Sequence, residues 1–422
     1  MFCLAEVRVI GEDEGGASLT LPRFLMSITK TYYLFVLSKD FGLAFTFASF
    51  VPYLLWLGLS YSEVAFVNMV FAGVVFLGEL PTGMFADGKS RVWSLRAGVW
   101  LWIIGSIFYA CARGVWTAAL ADGIFAVGNA FLSGARQAWI TDALKKHGRE
   151  KELRHVFGTT AMLSGIACVI GGFLGVFLSS VHMRLIWPPL IVGCLVSLYI
   201  AYYHMKDDGE PQERISQWQA LKCSVNLLRQ SHALSWILII LVVTGGFMTF
   251  NHYWSPLSES IWGRSSLAWV WPLLYGSTAL AGYLVRRHEH LERYGSTWIV
   301  TALFLAGGSL ALVRFLPLPF WIMGMMMMHE LTRGILGPLI DTYVQKRVES
   351  SYRATFGSLQ SFIAHFGFTL TPAFVWLSLD GKPNTPDTIT WLWFIAGGFI
   401  VITAMILWVF RPKKESSIPE ES

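Results

Sequence analysis

Twelve long apolar segments, separated by short polar ones, constrain the fold of this chain more than any other feature. A helix needs about 20 apolar residues to cross the hydrocarbon core of a bilayer. Within lipid, only helices and closed barrels satisfy their own backbone hydrogen bonds, and these runs are too continuously apolar for barrel strands. The sequence therefore predicts an all-α polytopic membrane protein with twelve transmembrane helices, at 31–59, 63–86, 92–112, 115–143, 155–179, 184–204, 233–253, 266–285, 296–313, 317–344, 354–378 and 389–410.

The distribution of basic residues predicts the orientation of these helices. Of the 32 Lys and Arg residues, 24 fall at the termini and in the loops of one side, five in the loops of the other side, and three within helices. Cytoplasmic loops of membrane proteins carry an excess of Lys and Arg. Both termini are therefore predicted to be cytoplasmic, with an N-terminal segment at 1–30 and a tail at 411–422.

The longest polar stretch between helices, 205–232, divides the chain into six helices and six helices. We predict an N-terminal bundle at 31–204 and a C-terminal bundle at 233–410. Within the linker, apolar residues recur at helical spacing among polar ones, which predicts an amphipathic helix on the cytoplasmic face. Those apolar residues are Ile215, Trp218, Leu221, Val225 and Leu228.

A sparse repeat relates the two predicted bundles. Asp142 precedes Arg154 by twelve residues, and Asp341 precedes Arg353 by the same distance, so that the two pairs are offset by 199 residues. Such a repeat predicts two parallel, pseudo-symmetric six-helix bundles related by an axis along the membrane normal. An Asp–Arg bridge in each half would close a cytoplasmic gate, or would simply staple neighbouring helices.

The loop after the second segment reads 83-GMFADGKSR-91. Together with the twelve helices, the repeat and the basic central loop, it resembles the major facilitator superfamily over about 30–411. Gly83, Asp87 and Arg91 match the signature of that family, and the resemblance implies that they belong to a cytoplasmic gate. Three positions of the signature depart from the usual residues, namely Gly88, Ser90 and Val92.

Two further stretches, 79-ELPTG-83 and 352-YRATFGSLQS-361, look like a branch of this superfamily with many bacterial efflux-type members. In that branch the fourth helix often carries an acidic residue where this chain has Arg136. That departure indicates a different substrate or coupling chemistry. The resemblance also implies that helices 1, 4, 7 and 10 line a central cavity.

Ionisable residues inside transmembrane helices are costly and mark functional sites by default. In the N-terminal half we single out Asp40, Glu79 and Arg136 as candidates. Asp40 is a candidate for proton coupling or substrate binding, and Arg136 for pairing with Asp40 or with an anionic substrate group. Lys39 is set aside, because adjacent residues on a helix point to different faces. For Glu79 two interpretations stay open: it carries protons, or it only caps a neighbouring helix.

In the C-terminal half the candidates cluster in 329-HELTR-333. Glu330 and Arg333 are three residues apart and so share a helix face on which they can pair. His329 is included because histidine titrates near neutral pH. Asn251 and His252, on the seventh helix, are further candidates for substrate contact.

The chain has no Walker loop, no metal-ligand spacing and no paired cysteines, so neither an enzyme, a metal site nor a cofactor is predicted. We expect a multi-pass protein of the plasma membrane, the bacterial inner membrane, that works as a monomer with a small-molecule substrate and without nucleic acid. The expected function is proton-coupled export of a small organic compound by alternating access, driven by the proton gradient. Two alternatives stay open: uptake of a nutrient or organic anion, and a membrane receptor or immunity protein that does not transport.

Overall fold

The structure, a computed structural model, describes residues 27–88, 90–206, 231–288, 295–348 and 353–412, without the side chains of 79–88, 353–355 and 358. The described residues form the helices α1 (Ile28–Phe47), α2 (Phe50–Trp56), α3 (Tyr61–Gly88), α4 (Arg91–Ala110), α5 (Val115–Lys146), α6 (Leu153–Val181), α7 (Trp187–Tyr203), α8 (His232–Val243), α9 (Met248–Trp262), α10 (Leu267–Arg287), α11 (Gly295–Leu312), α12 (Pro319–Gln345), α13 (Arg353–Leu379) and α14 (Pro386–Val409).

Most of these helices can cross a membrane. Within the described ranges, nine helical segments are long and apolar enough, and α1 with α2 makes a tenth if the bent pair is one span. α8 and α9 count together, as one segment at His232–Trp262. α10 and α12 do not meet this criterion, since Trp, Gly, Pro and polar side chains lower their hydropathy. A multi-pass helical membrane protein is therefore confirmed, whereas twelve spans and cytoplasmic termini stay predictions.

The first predicted helix, 31–59, is bent. α1 and α2 meet at an angle of 51° near Ala48 and Ser49. Pro52 lies in the first turn of α2, where its ring lacks an N–H and would clash with the carbonyl of Ala48 in a continuous helix. The hydroxyl of Ser49 also donates to the hydroxyl of Ser179 at 3.1 Å, which ties the bend to α6.

Each half of the chain has its own buried apolar core. One cluster of buried side chains lies entirely within residues 32–205 and another within 234–407. The predicted bundle limits, however, are not tested by these clusters and stay a prediction. The predicted amphipathic helix of the linker falls on 207–230, outside the described residues.

Helix α4 packs closely against α5 in the N-terminal half. A Cβ atom added to Gly98 would lie 2.8 Å from the carbonyl oxygen of Gly128 and 2.6 Å from Leu132 Cγ. Small residues allow such close approach of membrane helices, where van der Waals contact drives association. This packing holds α5, which carries Arg136, firmly against the bundle.

The two halves meet along α3 with α13 and along α6 with α10. At one end of this contact, the side chain of Asn384 accepts a hydrogen bond from the amide of Tyr61 at 2.8 Å and donates to the carbonyl of Leu59 at 3.3 Å. The buried hydroxyl of Tyr253 donates to the carbonyl of Tyr61 at 2.7 Å. The preceding turn is shaped by Gly58, whose φ of 90° lies in the region that favours glycine.

Two more hydrogen bonds between described residues join the halves. Ser62 Oγ donates to the carbonyl of Trp376 at 2.9 Å, and Trp271 Nε1 donates to the carbonyl of Cys168 at 3.2 Å. The bond between Ser62 and Trp376 lies beside the contacts of Asn384 and Tyr253. This is the side of the protein that the distribution of basic residues predicts to face outward. We call this group the latch: Leu59, Tyr61, Ser62, Tyr253, Trp376 and Asn384.

Candidate functional site: two buried charge clusters

The N-terminal half contains a cluster of charged side chains, the N-cluster, made of Lys39, Asp40, Arg136 and Ser164. Lys39 Nζ lies 2.5 Å from Asp40 Oδ1, and Ser164 Oγ donates to Asp40 Oδ2 at 3.0 Å. Arg136 Nη1 lies 4.0 Å from Asp40 Oδ2. The helices α1, α5 and α6 thus bring two cationic side chains and one hydroxyl together around one carboxylate.

Lys39 is the functional candidate that sequence reasoning missed. Adjacent Cβ atoms on a helix do diverge, but a lysine side chain is long and flexible enough to fold back toward its neighbour. Lys39 is buried, and its ammonium lies 5.0 Å from the centre of the Trp102 ring. The signal that could have revealed it is a lysine within an apolar helix directly beside an aspartate.

Arg136 is paired with Asp40, as predicted, but only at long range. At 4.0 Å the two groups attract each other without forming a hydrogen bond. Its Nε is buried without a hydrogen-bond partner among the described residues, while the side chain as a whole is 32% exposed. The guanidinium therefore has donors to spare.

The C-terminal half contains a second cluster, the C-cluster, made of Asn251, Thr278, Glu330 and Arg333. Glu330 Oε1 lies 3.1 Å from Arg333 Nη1, which confirms the expected pairing of these two residues. Thr278 Oγ1 donates to Glu330 Oε2 at 2.9 Å, and Arg333 Nη1 donates to Asn251 Oδ1 at 2.5 Å. The helices α9, α10 and α12 thus surround one balanced ion pair.

His329 does not belong to the C-cluster. Its ring is fully buried, 4.6 Å from the ring of Phe250 and 5.2 Å from that of Phe247. His329 Nδ1 lies 3.0 Å from the carbonyl oxygen of Ala306 on α11, which makes this nitrogen the protonated one. The contacts of His329 are those of a packing residue between helices.

His252 is also buried, and its ring lies 6.3 Å from that of Tyr253. No hydrogen bond joins His252 to the C-cluster within the described part of the chain. Of the two predicted neighbours on the seventh helix, only Asn251 contacts the charged residues.

The expected gate in the N-terminal half is built differently from the prediction. Asp142 pairs with Arg91, which also donates to the carbonyl of Ala138 at 2.7 Å. Arg154 is exposed and forms no ion pair with a described residue. The prediction of an Asp142–Arg154 bridge is therefore wrong for this structure, because Arg91 begins the helix that packs directly against the end of α5.

The remaining gate candidates are described only in part. Asp341 is exposed at the end of α12. Glu79, Gly83 and Asp87 lie on α3, and Arg353 begins α13. The structure describes these four positions no further. In the described ranges, no three His, Cys, Asp or Glu side chains form a group that could hold a metal ion.

Comparisons with known proteins agree with this architecture. A family model described as Major Facilitator Superfamily matches residues 33–372. The uncharacterized MFS-type transporter YxaM of Bacillus subtilis (strain 168) is 20% identical over 354 residues, which cover 81% of this chain and 86% of that relative.

Solved transporter structures share the fold. A mutant of the nucleoside transporter NupG superposes with a TM-score of 0.75 at 14% identity. The match covers 91% of this chain and 100% of the NupG chain. The POT family transporter PepTSo gives a TM-score of 0.69 at 11% identity, covering 91% of this chain and 97% of its own.

Proposed function

Because this chain belongs to the major facilitator superfamily and is a secondary transporter and not an enzyme, we propose that it exports a small organic compound across the plasma membrane in exchange for protons. It does so as a monomer of twelve transmembrane helices in two six-helix bundles, with both termini in the cytoplasm. The two bundles rock around a central site, and the proton gradient is the driving force.

The observation that carries proton coupling is the set of partners around Glu330. This carboxylate is buried and faces one arginine and one threonine hydroxyl. Protonation of Glu330 would free Arg333 from its ion pair while leaving it bonded to Asn251. Loss of this ion pair changes the electrostatic interaction energy by several kcal/mol. For two unit charges 4 Å apart at an effective dielectric constant of 20, the energy is about 4 kcal/mol.

The latch supports alternating access. Its hydrogen bonds join the halves at the side predicted to face outward and must break for that side to open. The charged residues of the two clusters lie on α1, α5 and α12, which correspond to three of the four helices that the family resemblance assigns to the cavity. A closed outer side is the arrangement of an inward-facing or an occluded transporter.

Export is proposed because the stretches 79-ELPTG-83 and 352-YRATFGSLQS-361 resemble efflux-type members of the family. Uptake of an organic anion is the second candidate, favoured by the spare donors of Arg136. The solved structures that share the fold, a nucleoside transporter and peptide transporters, supply the first compounds to test.

The test begins in cells that express the protein, where nucleosides, short peptides, organic acids and antibiotics are screened for altered intracellular levels. Depletion indicates export and accumulation indicates uptake. The compound that responds is then followed in proteoliposomes with an imposed pH gradient, for wild type, Glu330→Gln and the control Glu259→Gln. Glu259 also pairs with an arginine, Arg264, at 2.7 Å, but lies near a loop.

We expect Glu330→Gln to lose transport driven by the pH gradient while it keeps exchange of labelled for unlabelled compound. Glu259→Gln should behave like wild type. Gradient-driven transport by Glu330→Gln at the wild-type rate would refute proton coupling at this residue. Saturable binding without any flux would instead refute transport itself.

A further inference from the structure

Resting on the proposed function, we infer that Arg136 binds the negatively charged group of the transported compound, so that the substrate is a small organic molecule with a carboxylate. The C-cluster then serves the proton and the N-cluster serves the substrate. The inference stands on the charge balance and the hydrogen bonds of the N-cluster.

The N-cluster holds two cations and one anion. Burial disfavours the ammonium form of Lys39, whereas Asp40 Oδ1 at 2.5 Å and the face of the Trp102 ring at 5.0 Å favour it. Arg136 is charged in any protein environment. With Lys39 as an ammonium, the cluster of described side chains carries one positive charge in excess.

The carboxylate of Asp40 is already engaged on both oxygens. Lys39 contacts Oδ1 and Ser164 donates to Oδ2 at 3.0 Å, so Arg136 stays 4.0 Å away. Asp40 thus orients Arg136 without satisfying its donors. The excess charge lies on the member of the cluster that is also partly exposed.

The donors of Arg136 suit a carboxylate. Its Nε is buried and has no hydrogen-bond partner among the described residues. A guanidinium presents Nε and one Nη side by side, which matches the two oxygens of a carboxylate. An arginine at membrane depth is costly without a counter-charge, and a singly charged substrate group would balance the single excess charge.

Arg333 provides the contrast. Its Nη1 is bonded to Asn251 and lies 3.1 Å from Glu330, so one negative charge matches one positive charge. The side chain is 33% exposed, nearly the same as Arg136. Arg96 lies outside both clusters, is partly buried, and donates from Nε and Nη2 to the carbonyl of Ala201 at 3.1 Å and 2.8 Å. Arg96→Gln is therefore the matched control for Arg136→Gln.

The experiment measures thermal unfolding of the purified protein in detergent during titration with benzoate, acetate or inorganic phosphate. Benzamide is the uncharged match for benzoate. We expect both carboxylates to raise the melting midpoint of the wild type, and benzamide to leave it unchanged. The apparent affinity should fall at least about tenfold in Arg136→Gln, the loss of about 1.4 kcal/mol, and should not change in Arg96→Gln.

Two further variants sharpen the test. Lys39→Met removes the excess charge without altering Arg136, so it should also weaken carboxylate binding even if Arg136→Gln does not fold. Asp40→Asn removes the group that competes for Arg136, so it should strengthen carboxylate binding. If Arg136 served only as the structural partner of Asp40, Asp40→Asn would lower the melting midpoint without changing the affinity for carboxylates.

The inference is overturned by equal stabilisation of wild type and Arg136→Gln, by an equal loss of affinity in Arg96→Gln, or by unchanged or weaker binding in Asp40→Asn. Stabilisation by phosphate alone, or by none of the three anions, would overturn the carboxylate assignment. None of these outcomes bears on proton coupling, which is measured separately by the flux of Glu330→Gln.

Discussion

The latch offers a direct test of how the two halves separate. Replacing Asn384 with alanine removes two hydrogen bonds between the halves, at 2.8 Å and 3.3 Å. A hydrogen bond contributes about 0.5–1.5 kcal/mol net. The change should therefore favour the outward-open state by about 1–3 kcal/mol, which is about a 5- to 150-fold shift in the opening equilibrium.

Tyr253→Phe extends this series. It removes the single bond to the carbonyl of Tyr61, and both partners are buried. We expect about 0.5–1.5 kcal/mol, or about a 2- to 13-fold shift. Asn384 and Tyr253 both bond to Tyr61, so the double variant should shift the opening equilibrium further than either single change, without strict additivity. Ser258→Ala is the control, because Ser258 bonds to Trp254 within one helix of the C-terminal half.

The measurement is the distance between two spin labels, in a variant whose native cysteines are replaced. Trp116 and Phe320 begin α5 and α12 on the latch side of opposite halves, and are 75% and 92% exposed. We expect a growing population of longer distances in the order Ser258→Ala, Tyr253→Phe, Asn384→Ala and the double variant. Identical distance distributions for wild type and the double variant would refute the assignment of the latch as an outer gate.

Three other predictions concern residues whose roles the structure redefines. Arg91→Ala loses the ion pair between α4 and α5, so it should destabilise the protein by about 1–3 kcal/mol and lower its melting midpoint. Arg154→Ala should change the melting midpoint little. Equal midpoints for the two variants would contradict the pairing of Arg91 with Asp142. Gly98→Ala should destabilise by about 1–3 kcal/mol, since the added methyl group would lie 2.8 Å from a carbonyl oxygen of α5, while Gly134→Ala, with nothing within 4 Å, should be tolerated. His329→Gln should lower the melting midpoint but keep transport driven by the pH gradient, and a loss of gradient-driven transport would return this residue to the coupling site.

Much of the fold was predictable from the sequence because the bilayer leaves so few options. Apolar length and the need to satisfy backbone hydrogen bonds placed most helices within a few residues of their observed ends. The bend between α1 and α2 was missed, although Pro52 is visible in the sequence. Hydropathy is averaged over a whole segment, so it does not reveal one proline ring that interrupts the backbone hydrogen bonds of a helix.

The candidate site was predicted less completely, for geometric reasons. Glu330 and Arg333 were paired correctly, because residues three apart share a helix face. His329 was grouped with them by sequence proximity, yet a rotation of about 100° per residue turns it from Glu330 toward α11. Lys39 was rejected by a rule about Cβ directions that does not limit the reach of a long side chain. The bond from Arg333 to Asn251 depends on how two helices pack, which no local pattern encodes.

The sequence repeat does not relate the charged residues of the two clusters. The 199-residue offset that relates the two Asp–Arg pairs would place the counterpart of Arg136 at Ile335 and that of Arg333 at Gly134. Neither counterpart is ionisable, so the repeat extends to the helix ends but not to the charges at membrane depth. Proton and substrate need different partners. On the division of tasks proposed above, with the substrate at the N-cluster and the proton at the C-cluster, Asp40→Asn and Glu330→Gln should affect different steps.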